Sequence, residues 1–368
     1  MQLRICGLCA GALVAGAAVL AGCGGHGGSS GTGTTSTGEF IQTNLTADTV
    51  AGQASVVDPK LTNPWGVAYS PSGPFWVANN GSGVVTTYNG SGQTQGIIVQ
   101  IPSATGGQNG PVSGQVYNPT ANFGIPGQGA ATFIFCSEDG AISAWEGGAS
   151  ATIVANRNAQ GAVYKGVAIA QNGSANFLYA TNFHAGLIDE FDGNFNYIGS
   201  FTDGNIPSGF APFGIRAFGG MLYVTYAKQL GPANHDDQAG PGNGFVDIFT
   251  PAGAVAKRLV SNGPLNSPWG LEIAPSGFGN IPGDLLVGNF GDGRINAFNL
   301  STGNFDGPLN DGNNNPISIP GLWSLVVGNG SAAGSATTVY FTSGPNHEVD
   351  GLFGSLTPSG ATNRKRVK

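Results

Sequence analysis

Short runs of β-forming apolar residues alternate along this chain with polar, glycine-rich turns, and two of the runs are nearly the same sentence. These are "NPWGVAYSPSG" (Asn63 to Gly73) and "SPWGLEIAPSG" (Ser267 to Gly277). Aligning on a variable residue followed by a small one inside a β-like run gives Trp65-Gly66, Thr120-Ala121, Lys165-Gly166, Phe213-Gly214, Trp269-Gly270 and Trp323-Ser324. The intervals are 55, 45, 48, 56 and 54 residues, and six units of about fifty residues match a propeller period. Each unit then repeats an apolar strand, a polar turn and an alternating strand, as in "FIFCSEDGAISAWE" and "LLVGNFGDGRINAFN". No segment sustains a 3.6-residue apolar period long enough for a core helix. The pattern predicts an all-β, six-bladed β-propeller over residues 39–358.

The small residue has a physical reason, because innermost strands converge on the axis and only a small side chain lets their backbones approach. After "GLFGSLTP" too little chain is left for a fourth strand in the sixth unit. "EFIQTNLTADTV" (Glu39 to Val50) is expected to supply it and close the ring, which removes sheet edges.

The first 22 residues read as an export signal, with Arg4 ahead of an apolar run. Its end, Leu20-Ala21-Gly22-Cys23, resembles the bacterial lipobox. The resemblance implies a lipid on Cys23, a membrane-anchored chain and a place in the bacterial cell envelope, periplasmic or at the cell surface. Residues 23–38 lack bulky apolar side chains and read as a flexible tether. Residues 359–368 read as a basic, solvated tail. With Cys6 and Cys9 in the signal, Cys136 is left alone inside "FIFCSE" and reads as a buried structural thiol.

Charged residues are 9% of the chain, against roughly 25% in ordinary soluble domains. A net charge of −7 gives no drive toward phosphate backbones, so nucleic acid is not an expected partner. A monomer is the expected state.

The six-unit pattern is similar to NHL-type and gluconolactonase-like six-bladed propellers. "HDDQAGPGNGFVDIF" and "LLVGNFGDGRINAFN" more closely resemble an uncharacterised family of exported bacterial propeller proteins. That resemblance implies a fold and no established activity.

By analogy with such folds, Trp65, Lys165, Phe213, Trp269 and Trp323 are expected around the mouth of the axis as candidate ligand contacts. The aromatic ones would stack a ligand or, equally, plug the channel. Lys165 would meet an anion or an ordinary ion-pair partner. The turns "SEDG", "NFHAG", "NFGDG" and "GPNHE" and the insertion from Ala227 to Gly244 fall on the same face, carrying His184, His235 and His347. Imidazoles near carboxylates suit a divalent metal ion, and His184, His235, Asp236 and Asp237 form the candidate metal set. Glu138, Asp139, Asp292 and Glu348 are further carboxylates. The alternative is that Asp-Gly pairs close hairpins and the histidines face water.

Familiar catalytic signatures fail. The G-x-S-x-G at Gly27 to Gly31 lies in the tether, without the strand-turn-helix context of a nucleophile elbow. A calcium-loop mimic from Asp192 has Tyr197 where Gly is required. Two functions are carried forward. One is a lipid-anchored binding or interaction module for a small molecule, glycan or protein; the other is a metal-dependent lactonase- or lyase-like enzyme.

Overall fold

The computed structural model describes residues 36–360; the signal, Cys23 and all but the first two residues of the basic tail lie outside them. Six small antiparallel sheets form the six blades of a β-propeller. Counted from the first complete blade, the inner strands are Pro64–Ala68, Val112–Tyr117, Tyr164–Asn172, Phe210–Phe218, Pro268–Ile273 and Leu322–Val327. Five blades step outward through consecutive hairpins, and the sixth takes its outer strand from the N-terminal segment. Among the described residues no helix is long and apolar enough to cross a membrane.

Ring closure follows the sequence reading. Phe40–Ala47 pairs antiparallel with Leu352–Pro358, in a register running from Phe40 opposite Pro358 to Ala47 opposite Leu352. A two-residue parallel strand, Val56–Val57, adds to its outer side. Phe40 is buried against Phe278, with ring centroids 4.7 Å apart, so the closing strand is held by side-chain packing as well as by its ladder.

The repeated small residue marks a β-bulge. In every blade the pairing of inner and second strand shifts register across the aligned step, for example between Pro64 and Val67, Tyr164 and Val167, and Leu322 and Leu325. The same shift occurs between Val112 and Gln115, Pro212 and Ile215, and Pro268 and Gly270. A bulge re-aims one side chain and breaks the ladder locally. Here the small residue meets the next blade, and in every blade but the second, where the step is Ser113-Gly114, a large residue is swung toward the axis. A Cβ on Gly66 would lie 2.8 Å from Ser113 O, and one on Gly214 would lie 2.1 Å from Trp269 O.

Second-strand threonines repair the broken ladder. Thr181 Oγ1 accepts from Gly166 N and donates to Phe213 O of the following blade. Thr342 Oγ1 accepts from Ser324 N and donates to Trp65 O, which ties the last blade to the first.

Thr120-Ala121 is not the inner-strand step of the second blade; Ser113-Gly114 is, with the bulge at that place. Thr120 instead caps a turn, its N–H and hydroxyl both donating to Asn118 Oδ1. Between successive blades lie separate apolar cores, such as Trp76, Phe133 and Phe135 between the first and second. A further cluster of Trp65, Phe183, Phe213, Trp269 and Trp323 sits on the axis.

Candidate functional site

The axial aromatics form a plug. Trp65 and Trp323 stack with centroids 3.6 Å apart, and Phe290 stacks on Trp323 at 4.2 Å. Trp269 meets Trp323 edge-on at 5.7 Å, and Phe183 leans on Phe213 at 5.0 Å. Phe213 and Trp323 are buried, while Trp65 and Trp269 keep only slivers of exposure. The sequence placed Trp65, Phe213, Trp269 and Trp323 around the mouth, and the structure brings them into mutual contact as its floor. Phe183 and Phe290 belong to that floor too; their signal was the aromatic after Asn in "NFHAG" and "NFGDG".

A polar network crosses above this floor. The Lys165 ammonium is buried, 5.1 Å from the Trp65 ring centroid and 5.8 Å from that of Phe183. It pairs closely with Glu138 and lies 3.9 Å from Asp236. A cation over aromatic faces and against a carboxylate is stabilised by both. Asn80 donates to the other oxygen of Glu138 at 2.8 Å. Asn63 donates to Glu348 at 3.2 Å, and its own oxygen accepts from Trp323 Nε1 at 3.3 Å. The Asn63 of "NPWG", where the later copy has Ser267, therefore links the plug to the acidic groups above it, from a backbone held at a positive φ of 46°.

Loops of different blades supply the metal-ligating groups. Glu138 comes from the hairpin after Phe133–Ser137, and His235 and Asp236 from the long loop between Met221–Lys228 and Gly244–Phe249. Ligand atoms of these three residues all lie within 4.8 Å of one another. His235 Nδ1 is 2.7 Å from Asp236 Oδ1, which leaves Nε2 unengaged by that contact. Asp237 and Glu348 complete an acidic ring in which carboxylates outnumber the single ammonium. Burial pushes the Asp237 carboxyl above its ordinary value, opposed by Ser267 and Lys165 and reinforced by Asp236. Burial likewise raises Glu348, with Asn63 opposing and Glu138 adding to the rise. Asp237 Oδ2 is buried and makes no well-formed hydrogen bond.

The structure does not bring all the sequence candidates together. His184 stands outside the group of three, with Nδ1 3.0 Å from Ala233 O, and so pins the insertion. Gln229 assists by donating to Phe183 O. His347 is exposed on the turn Pro345–Glu348. Asp139 is spent on its hairpin and on the neighbouring loop, accepting from Ser137, Ser103 and Ala104 N. Asp292 closes its turn by accepting from Arg294 N and Asn289. Cys136 is buried and its thiol is pushed up to about 12 by that burial, so it is not a nucleophile at neutral pH.

Taken together, the described residues define a six-bladed β-propeller with an aromatic axial plug and an acidic mouth. No protein-family model matches the chain. It is 32% identical over 319 residues to the uncharacterized protein R648 of Acanthamoeba polyphaga mimivirus, covering 83% of this chain and 77% of that one. The chain belongs to the same family as that viral protein. Among solved structures, a streptogramin B lyase aligns with a TM-score of 0.50 and 12% identity over 86% of this chain and 97% of the other. The luciferin-regenerating enzyme aligns with a TM-score of 0.51 and 16% identity over 82% and 93%. At such identities the likeness is one of fold.

Proposed function

We propose that this propeller is a ligand-binding module whose mouth holds a divalent cation on Glu138, His235 and Asp236 and offers it to an oxygen-bearing small molecule. The observation that carries this reading is the convergence of those three side chains from two blades, above a closed aromatic floor. One imidazole with two carboxylates suits zinc or manganese better than an all-oxygen ion site. Lys165 now holds the place beside Glu138 that a cation would contest. On metal binding it is expected to turn toward the ligand, where its charge would meet an anionic oxygen. The mouth is thus divided between a metal set, a cation beside it and an aromatic floor beneath. In this reading the domain is carried at the cell envelope by a lipid on Cys23.

Equilibrium dialysis of chelator-stripped protein against zinc and manganese tests the proposal. One equivalent should bind, and Glu138→Gln or Asp236→Asn should each weaken it at least tenfold. His184→Ala should retain the metal, because that ring serves the insertion instead. No stoichiometric uptake by the unaltered protein would overturn the reading. For the anchor, Cys23→Ser should move the domain from the membrane to the soluble fraction.

A second reading has its own support. Glu348 and Asp237 are carboxyls held up by burial beside the metal set, an arrangement suited to general acid or base work. The two solved structures of like fold named above are enzymes by their names. Metal-loaded protein incubated with a panel of lactones and cyclic esters separates the readings by product mass, since hydrolysis adds water and elimination does not. Turnover that is lost in Glu348→Gln while metal is retained would establish the enzyme. Its absence across the panel would favour the binding module.

A further inference from the structure

Below the aromatic plug the axis is hollow. A cavity of about 290 Å³ runs from Trp269, through the ring of small residues Gly66, Gly114, Gly166 and Ser324, to the ends of the inner strands at Tyr69, Tyr117 and Ala217. It is a different space from the mouth, on the other side of the plug. Its walls carry apolar side chains, Val167, Ile215, Leu271 and Leu325 among them, and nearly as much polar surface, to which Gln115, Ser324 and Arg216 belong. Arg216 is the one charged side chain in that lining.

Arg216 is held rigidly. Its Nη1 donates to Leu271 O at 3.0 Å and to Leu325 O at 2.6 Å, so one nitrogen clamps two neighbouring blades. Nη2 faces Glu272 Oε2 at 3.1 Å. Glu272 is itself occupied, since Oε1 accepts from Ile273 N and Oε2 from Val327 N. Among the described residues no acceptor engages Arg216 Nε or the remaining Nη2 hydrogen, and the side chain is 31% exposed. A fixed guanidinium fork with spare donors at the edge of a cavity of mixed polar and apolar walls is the chemistry that recognises a carboxylate with an apolar body. Gln115 contributes to the same wall, its Nε2 donating to Gly66 O and Trp76 O at 2.7 Å each, which fixes the amide across two blades.

We infer that this axial cavity is a second binding site, for a small monocarboxylate with a compact apolar body, the carboxylate on Arg216 and the body directed toward Trp269. The size is sufficient, since a cavity of about 150 Å³ already admits benzene. The inference is independent of the metal at the mouth, because the plug separates the two spaces. A ligand here would also touch inner strands of several blades, so occupancy would stabilise the ring.

The test uses 4-bromobenzoate on the full domain. Titration calorimetry should show one site, and a co-crystal should place the bromine, located by its anomalous signal, inside the cavity near Trp269. Arg216→Gln should weaken binding at least tenfold, and Arg216→Lys should recover part of the loss. Because Arg216 also clamps blades, 4-bromobenzamide on the unaltered protein is the matched control: nearly the same shape without the charge, it should bind at least tenfold more weakly. Equal affinities for acid and amide, no binding in solution, or a bromine found only outside the axis would each overturn the proposal.

Discussion

At the scale of single residues, the repeated small side chain is a spacing requirement between blades. Gly214→Ala places a methyl within 2.1 Å of Trp269 O, a backbone atom that cannot turn aside. The blade must shift, and overpacking of this kind costs about 1–3 kcal/mol or more. Gly124→Ala has nothing within 4 Å and is the control, expected to be near neutral. Chemical denaturation of both variants checks the pair, and equal stabilities would contradict the account. Thr181→Val tests the companion feature. It keeps the shape but leaves Gly166 N and Phe213 O without their partner in a buried place, for an expected loss of about 1–3 kcal/mol.

At the scale of elements, the N-terminal strand is the latch of the ring. Phe40→Ala removes the aromatic packed on Phe278, and large-to-small changes at such positions cost about 3–5 kcal/mol. A chain beginning at residue 49 goes further, leaving Leu352–Pro358 as an open edge that invites pairing with another copy. It should unfold at lower denaturant and elute as larger species on size exclusion, whereas a monomeric, equally stable product would deny the latch. This element was legible in sequence because a missing strand at one end and a spare β-like segment at the other explain each other. The second blade's inner strand was not, because Ser113-Gly114 within "VSGQVY" looks like turn chemistry while the true turn around Thr120 has a comparable spacing. The mouth was legible as a face and not as a set. Sequence gathers His184, His235 and Asp236 on one end of the fold, but only the path of the insertion decides that Glu138 is within reach and that His184 is tied to Ala233.

At the scale of the whole molecule, buried acids set how stability responds to pH. Burial pushes Asp247 up to about 7 despite its close pairing with Arg258, and the second acid on that guanidinium, Asp203, adds to the rise. Asp284 is raised to about 6, by burial and then by facing Asp306. Asp48, Glu190, Asp237 and Glu348 are raised by burial as well. Each of these groups binds a proton more tightly folded than unfolded, so the folded state gains least from raising the pH. Their contribution to stability is therefore greatest below the unfolded values near 4 and declines until the folded values, the highest near 7, have been passed. Two acids run the other way. Asp192 is pushed up by burial but ends lower because Asn196 and the amides of Asn194 and Asn196 hold its charge, and the amide of Asn315 leads in lowering Asp311. Their stabilisation is lost only as pH falls through values below 4, outside the window that matters between 5 and 8. Thermal unfolding at constant ionic strength should thus give a higher Tm at pH 5 than at pH 8. Asp247→Asn, which cannot ionise, should flatten much of the slope between 6 and 8. A Tm that rises from pH 5 to pH 8 would show that Arg258 outweighs burial and that Asp247 is charged throughout.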